Sequence, residues 1–230
     1  MREECDAQNQ IDNAARPGTG LVRLPGGPIT GTLILLNVGV FLLQDLFGDT
    51  LVAQFALWPV GHFEVQEIHA VVGFHVWQLL TSAFLHGSVA HISLNMLALY
   101  MFGRDVERKM GPRQYLCLYG AAVLSAALVQ LLVVSLTASE TPYPTVGASG
   151  GIFGVLLAFG MLFPRRIVVL LIPPIPMPAW LFVTGYALIE LANGVFGTAA
   201  GVAHFAHLGG MLGAWLVLHR WNQTTPGESW

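Results

Sequence analysis

Apolar residues in this chain come in long unbroken runs rather than in alternating or one-faced helical patterns. That is the signature of segments surrounded by apolar matter on all sides. Six runs stand out, at roughly 29–47, within 77–102, and at 115–136, 147–163, 179–196 and 203–221. A helix that crosses a bilayer needs about 20 mainly apolar residues, within a range of about 17–25. Each run therefore predicts one spanning helix, and the expected fold is all-α: a polytopic membrane protein built as a six-helix bundle. A weakly polar region at 48–75 separates the first two runs, and a Pro-rich stretch at 173–178 precedes the fifth. Residues 1–28 are polar, acidic and rich in Gly and Pro, with no apolar core, so they read as a flexible tail and not as a cleavable signal. The expected division is a tail at 1–28, a membrane domain at 29–221 and a short tail at 222–230.

Composition agrees with the pattern. Of 230 residues, 54% are hydrophobic and 10% charged, and the mean hydropathy is +0.64. A soluble domain carries about 25% charge, which excludes an ordinary soluble enzyme and a disordered tail. With 13 acidic against 10 basic residues, no basic surface is available for nucleic acid. Cys5 and Cys117 are too few for a disulfide framework or a thiolate metal site.

The basic residues test the helix count. Arg2, Arg16 and Arg23 precede the first run; Arg104, Arg108, Lys109 and Arg113 lie between the second and third; Arg165 and Arg166 follow the fourth; Arg220 closes the sixth. The alternate connections contain no Lys or Arg. Positive charge stays on the cytoplasmic side, so both termini are expected there, with 48–75, 137–146 and about 197–202 facing outward. Cys5 and Cys117 then both lie toward the reducing side, and no disulfide is expected.

Polar groups inside lipid are costly and tend to be functional. His86, His91 and Asn95 fall in the second run, and His91 and Asn95, four apart, share a helix face. The fourth run opens Gly147-Ala148-Ser149-Gly150-Gly151, the fifth carries Glu190, and the sixth carries His204 and His207. Alone, Ser149 reads as an N-cap or packing residue, and His91 and Asn95 as interhelical glue. A hydroxyl becomes a nucleophile only beside a base, and the sixth run offers one. His207, Gly210 and Ala214 fall at i, i+3 and i+7, a small-residue face that lets two helices approach closely. His204 lies one turn nearer the outer surface and reads as an interfacial histidine, so His207 is the favoured base. Oxyanion donors are then expected from His91, Asn95 and the Ser149 N–H.

At this point the sequence resembles the rhomboid intramembrane serine proteases. The residues that carry the resemblance are His91-Ile92-Ser93-Leu94-Asn95, Gly147-Ala148-Ser149-Gly150 and Ala206-His207-Leu208-Gly209-Gly210, in that order and on the second, fourth and sixth helices. Weaker matches are Leu85-His86 and Gly103-Arg104-Asp105-Val106-Glu107. The resemblance implies a Ser149–His207 dyad without a third acidic member, with His91 and Asn95 at the oxyanion. It also implies a partly embedded loop at 48–75 and a substrate gate at the fifth helix. The implied activity is cleavage of transmembrane protein substrates within or beside their membrane segment, with no cofactor and no metal. The implied setting is a bilayer of the bacterial inner (plasma) membrane type. The oligomeric state stays open. Two positions depart from the pattern. Trp77-Gln78 stands where relatives carry Trp-Arg, which predicts a weaker loop anchor, and Phe153 stands where some carry a tyrosine that stacks on the histidine.

Other classes fit less well. A non-catalytic relative that binds client helices would be expected to lack Ser149 or His207. A proton-coupled transporter needs carboxylates facing the histidines, and Glu190 reads more simply as a structural hydrogen-bonding residue. A metalloprotease needs an H-E-x-x-H helix or another ligand set, and His204 and His207 at i, i+3, with no nearby carboxylate expected, match that poorly.

Overall fold

The computed structural model describes residues 27–66, 69–137, 143–170, 173–197 and 203–224. Most of both expected tails, and parts of the connections at 137–146 and 197–202, lie outside these residues. The elements in chain order are α1 (Pro28–Phe55), β1 (Phe63–Val65), β2 (Ala70–Val72), α2 (Gln78–Thr81), α3 (Val89–Ala98), α4 (Arg104–Met110), α5 (Pro112–Thr137), α6 (Ser149–Leu162), β3 (Ile167–Val169), β4 (Pro176–Pro178), α7 (Ala179–Phe196) and α8 (His204–Thr224). A single wide turn, Leu99–Gly103, joins α3 to α4. Among the described residues α1, α5 and α7 are long and apolar enough to cross a membrane, and α6 is a shorter apolar helix.

Three boundaries differ from the expectation. The first helix does not stop at Phe47. It kinks there, with φ −131° and ψ 27°, and runs on to Phe55, because Leu51, Val52, Ala53 and Phe55 pack on a small core of Ala56, Trp58, Val72 and Leu85. The second run is not one helix. The chain leaves helical geometry at Leu85 and re-enters at Val89, where the Ser88 side chain accepts from the His91 N–H at 3.1 Å. His86 therefore precedes the helix rather than sitting inside it. Irregular backbone at membrane depth needs internal partners, and Gln44 supplies them: its Oε1 accepts from His86 N at 2.9 Å and its Nε2 donates to His86 O at 3.2 Å. The third difference is that the basic stretch between the second and third runs is itself helical, as α4.

The weaker loop anchor predicted at Gln78 is replaced by a different one. The Gln78 side chain is fully buried; its Oε1 accepts from Trp58 N and His75 N, and its Nε2 donates to Gln54 O and Gly73 O. One neutral amide thus ties the end of α1, the β1–β2 hairpin and α2 together, with all four of its bonds made.

Two ends of the bundle are sorted by polarity. At one end the Glu107 carboxylate accepts from Ile29 N, Thr30 N and Thr30 Oγ1 at 2.7–2.9 Å, capping the N-terminus of α1. At that same end Asp105 pairs with Arg104, Arg108 and, from beyond α6, Arg166. At the other end Leu57 bridges Thr145, and Gly147 N donates to Ser82 O at 3.0 Å. The basic clusters around 104–113 and 165–166 consequently share one face with the start of α1.

Helix α6 is the core. Its residues from Gly150 to Gly160 are buried with the sole exception of Leu157, against α5, α8 and the turn after α3. Fourteen residues rise about 21 Å, against about 30 Å of hydrocarbon. That helix is closed in by its neighbours, and its first residue, Ser149, is half-buried. By contrast α7 buries only Ala179, Val183 and Glu190, and its remaining face is apolar and exposed, as lipid contact requires.

Candidate active site

Ser149 is the first residue of α6, and Ala148 caps the helix. Helix geometry leaves the first N–H groups without an intrahelical acceptor, so the amides of Ser149, Gly150 and Gly151 are unspent at the point where the hydroxyl stands. Across from it, in the first turn of α8, lies His207. Its Nε2 is 2.8 Å from Ser149 Oγ.

What permits that distance is the absence of side chains between the helices. A Cβ at Gly210 would collide with the Gly150 carbonyl, coming within 2.8 Å of its carbon and 3.2 Å of Gly150 Cα. A Cβ at Gly154 would lie 2.9 Å from the Gly210 carbonyl oxygen and 3.1 Å from Ala214 Cβ. The small-residue face on α8 is thus in backbone contact with α6. Phe153, one turn below Ser149, stacks on the His207 ring at 4.1 Å with an interplanar angle of 6°. The ring without its hydroxyl keeps the stacking contact.

His91 and Asn95 approach from α3. Gly147 has φ 126°, a conformation that favours glycine, and a Cβ there would come within 2.8 Å of His91 Cε1 and Nε2 and 3.7 Å of Asn95 Nδ2. Both side chains therefore border the backbone two residues before Ser149. His91 Nδ1 lies 3.5 Å from Gly87 N, and the ring's other nitrogen, Nε2, is the one beside Gly147. Asn95 is 8% exposed, and its Nδ2 has no hydrogen-bond partner among the described residues. A buried unsatisfied donor costs about 1–3 kcal/mol and is the kind of group that a site holds ready for a charge yet to form. Beside Ser149 opens a cavity with walls of small residues, among them Ala126, Ala127, Gly151 and Ala206, and with Ser82 and Gln130 as polar lining.

Glu190 is the residue whose place the sequence did not disclose. From α7 its Oε2 reaches His207 Nδ1 at 2.9 Å and His204 Nδ1 at 2.6 Å. All three residues are buried. The expectation of histidines with no carboxylate nearby is therefore corrected. The partner is far along the chain and arrives through packing of α7 on α8. His204 turns to Glu190, and it is His207 that meets the serine. The three ligand-type atoms lie within 4.8 Å of one another. Ligand atoms around a tetrahedral zinc stand about 3.3 Å apart; separations of 2.6 and 2.9 Å are those of hydrogen bonds.

A family model described as the rhomboid domain matches residues 73–220. The chain is 29% identical over 193 residues to RHOMBOID-like protein 12, mitochondrial, of Arabidopsis thaliana, covering 77% of this chain and 54% of that protein. It is 35% identical over 151 residues to Rhomboid protein 1, mitochondrial, of Saccharomyces cerevisiae, covering 62% and 40%. With Rhomboid protease GluP of Bacillus subtilis it shares 30% identity over 196 residues, covering 82% and 34%. The chain thus spans about half or less of the length of these relatives.

Proposed function

The chain belongs to the rhomboid family, and from that premise we propose that it is an intramembrane serine endopeptidase whose substrates are transmembrane proteins. The observation that carries this reading is the 2.8 Å contact between Ser149 Oγ and His207 Nε2, a nucleophile and base in reach of each other within a bundle of apolar helices.

The chemistry runs as follows. His207 Nε2 takes the Ser149 hydroxyl proton as Oγ bonds to the scissile carbonyl carbon, and the carbonyl π pair moves onto oxygen. Asn95 Nδ2, His91 Nε2 and the Ser149 N–H donate to that oxyanion. Collapse restores the C=O and breaks the C–N bond, and His207 passes its proton to the departing amine. A water then gives a proton to His207 and attacks the acyl carbon; the C–Oγ bond breaks and Ser149 regains its proton. In this reading the reaction takes place below the membrane surface, which the shortness of the enclosed helix α6 supports. Substrates with small or helix-breaking residues at the cut favour it, because an intact helix hides its carbonyls in internal bonds.

Six spanning segments organise the membrane domain in this reading, α2–α4 together forming the second, with the face of Arg104, Arg108 and Arg166 toward the cytoplasm. In a background lacking Cys5 and Cys117, Arg108→Cys is expected to resist an impermeant thiol reagent in intact cells, while His62→Cys labels. The opposite pattern overturns the orientation.

The test of the activity is incubation of the purified chain in liposomes with a single-span model substrate, with products weighed by mass spectrometry. Two fragments cut within or beside the span, blocked by a serine-reactive inhibitor and insensitive to a chelator, are expected. A substrate that is retained but uncut would instead indicate a non-catalytic client-binding member of the family.

A further inference from the structure

We infer that Glu190 is a positioning residue for the reaction, an acidic third member that holds His207 in the tautomer able to act as base. The inference rests on the serine-protease reading of Ser149 and His207.

A neutral imidazole carries its proton on one nitrogen only, and the partner of that nitrogen decides which. An ionised carboxylate accepts and never donates. With Glu190 Oε2 at 2.9 Å from His207 Nδ1, the proton is fixed on Nδ1. The Nε2 lone pair is then free, and it is Nε2 that faces Ser149 Oγ at 2.8 Å. The three side chains are joined in succession: carboxylate, imidazole, hydroxyl. Phe153 fixes the plane of the ring by stacking, but a stacked apolar ring has no say in where the proton sits. Among the described residues it is Glu190 that offers the hydrogen-bond acceptor at His207 Nδ1. When His207 gains the serine proton, the same carboxylate faces the new positive charge in a buried setting.

His204 has a supporting part. Its Nδ1 donates to the same Oε2 at 2.6 Å, which anchors the carboxylate from the preceding turn of α8 without touching Ser149. A purely structural reading of the cluster treats both histidine contacts as equal ties between α7 and α8. The two readings differ in what they expect of substitutions. Glu190→Gln keeps the size and some hydrogen bonding, yet its NH2 group donates to an imidazole nitrogen as readily as its oxygen accepts, so it stops enforcing the tautomer. Glu190→Asp keeps an acceptor-only charge at shorter reach.

The experiment measures kcat and KM on the single-span substrate for wild type, Glu190→Gln, Glu190→Asp, His204→Ala and Ser149→Ala. The unfolding midpoint of each is recorded, together with the 15N spectrum of labelled histidine, which reports tautomer without needing activity. Glu190→Gln is expected to lower kcat about 100-fold or more, with KM within about twofold and loss of the Nδ1–H signature of His207. Glu190→Asp is expected to keep more activity than Glu190→Gln, and His204→Ala to lose less than Glu190→Gln, because it leaves the Glu190–His207 contact in place. Wild-type kcat in Glu190→Gln, with Ser149→Ala inactive, would overturn the role of Glu190 and leave the protease reading standing. Equal losses in Glu190→Gln and His204→Ala, with Asp no better than Gln, would also overturn it, in favour of a structural tie. Cleavage retained in Ser149→Ala would remove the protease reading and this inference with it.

Discussion

Ser149→Ala and His207→Ala, each made alone, are expected to reduce cleavage by at least about 10⁴-fold, and the double variant by no more than either single one. The reason is that the hydroxyl and the imidazole make one device. Without His207, the Ser149 proton has no acceptor at 2.8 Å; without Ser149, His207 has no nucleophile to activate. Neither change is expected to unfold the protein. Both residues sit at helix starts, and the buried backbone contacts of α6 with α8 run through glycines further along. Initial rates on the single-span substrate and unfolding midpoints in detergent, measured on the three variants, check both halves of this expectation. Losses that multiply in the double variant would mean that the two side chains act separately.

Gly210→Val is expected to be the most damaging substitution away from the reacting groups. A first side-chain carbon at this position meets the Gly150 carbonyl, which is backbone and cannot swing aside. A branched side chain adds two more carbons to the same space. The helices must separate, and Gly150 is the residue next to the nucleophile. A displacement of about 1 Å can cost about 100-fold in rate, and overpacking costs typically 1–3 kcal/mol. A rate loss of about 100-fold or more with a lowered unfolding midpoint is therefore expected. Gly120→Val is the control, since a Cβ there meets nothing within 4 Å, and it is expected to leave both quantities close to wild type. A Gly210→Val protein that cleaves at the wild-type rate would contradict the backbone contact.

The sequence carries the Ser149–His207 pairing because it rests on periodicity. Glycine and alanine at i+3 and i+7 from a histidine mark a close-packing face, whatever helix fills it. It also carries the grouping of basic residues after the second and fourth runs, and Asp105 pairs with Arg104, Arg108 and Arg166 at one end of the bundle. Hydropathy reads transfer into lipid and is blind to backbone, so it runs straight through the break at 85–88. The signals for that break, Gly87 followed by Ser88 as an N-cap, are local and polar. Nor does it show that Gln78 is saturated by four backbone groups, since two of its four partners, Trp58 and Gln54, lie 20 and 24 residues away. Glu190 was hidden most deeply. A lone carboxylate in an apolar run says that a polar partner exists, but which one depends on how α7 rotates against α8, and no spacing within either helix encodes that angle.

The account stands on Ser149 being a nucleophile activated by His207, and covalent trapping tests that most directly. A fluorophosphonate probe reacts with a serine only when the oxygen is activated by a base. Digestion and mass spectrometry after labelling are predicted to find the adduct on Ser149, with labelling lost in His207→Ala. An adduct on another residue, or undiminished labelling of Ser149 in the His207→Ala protein, would contradict it.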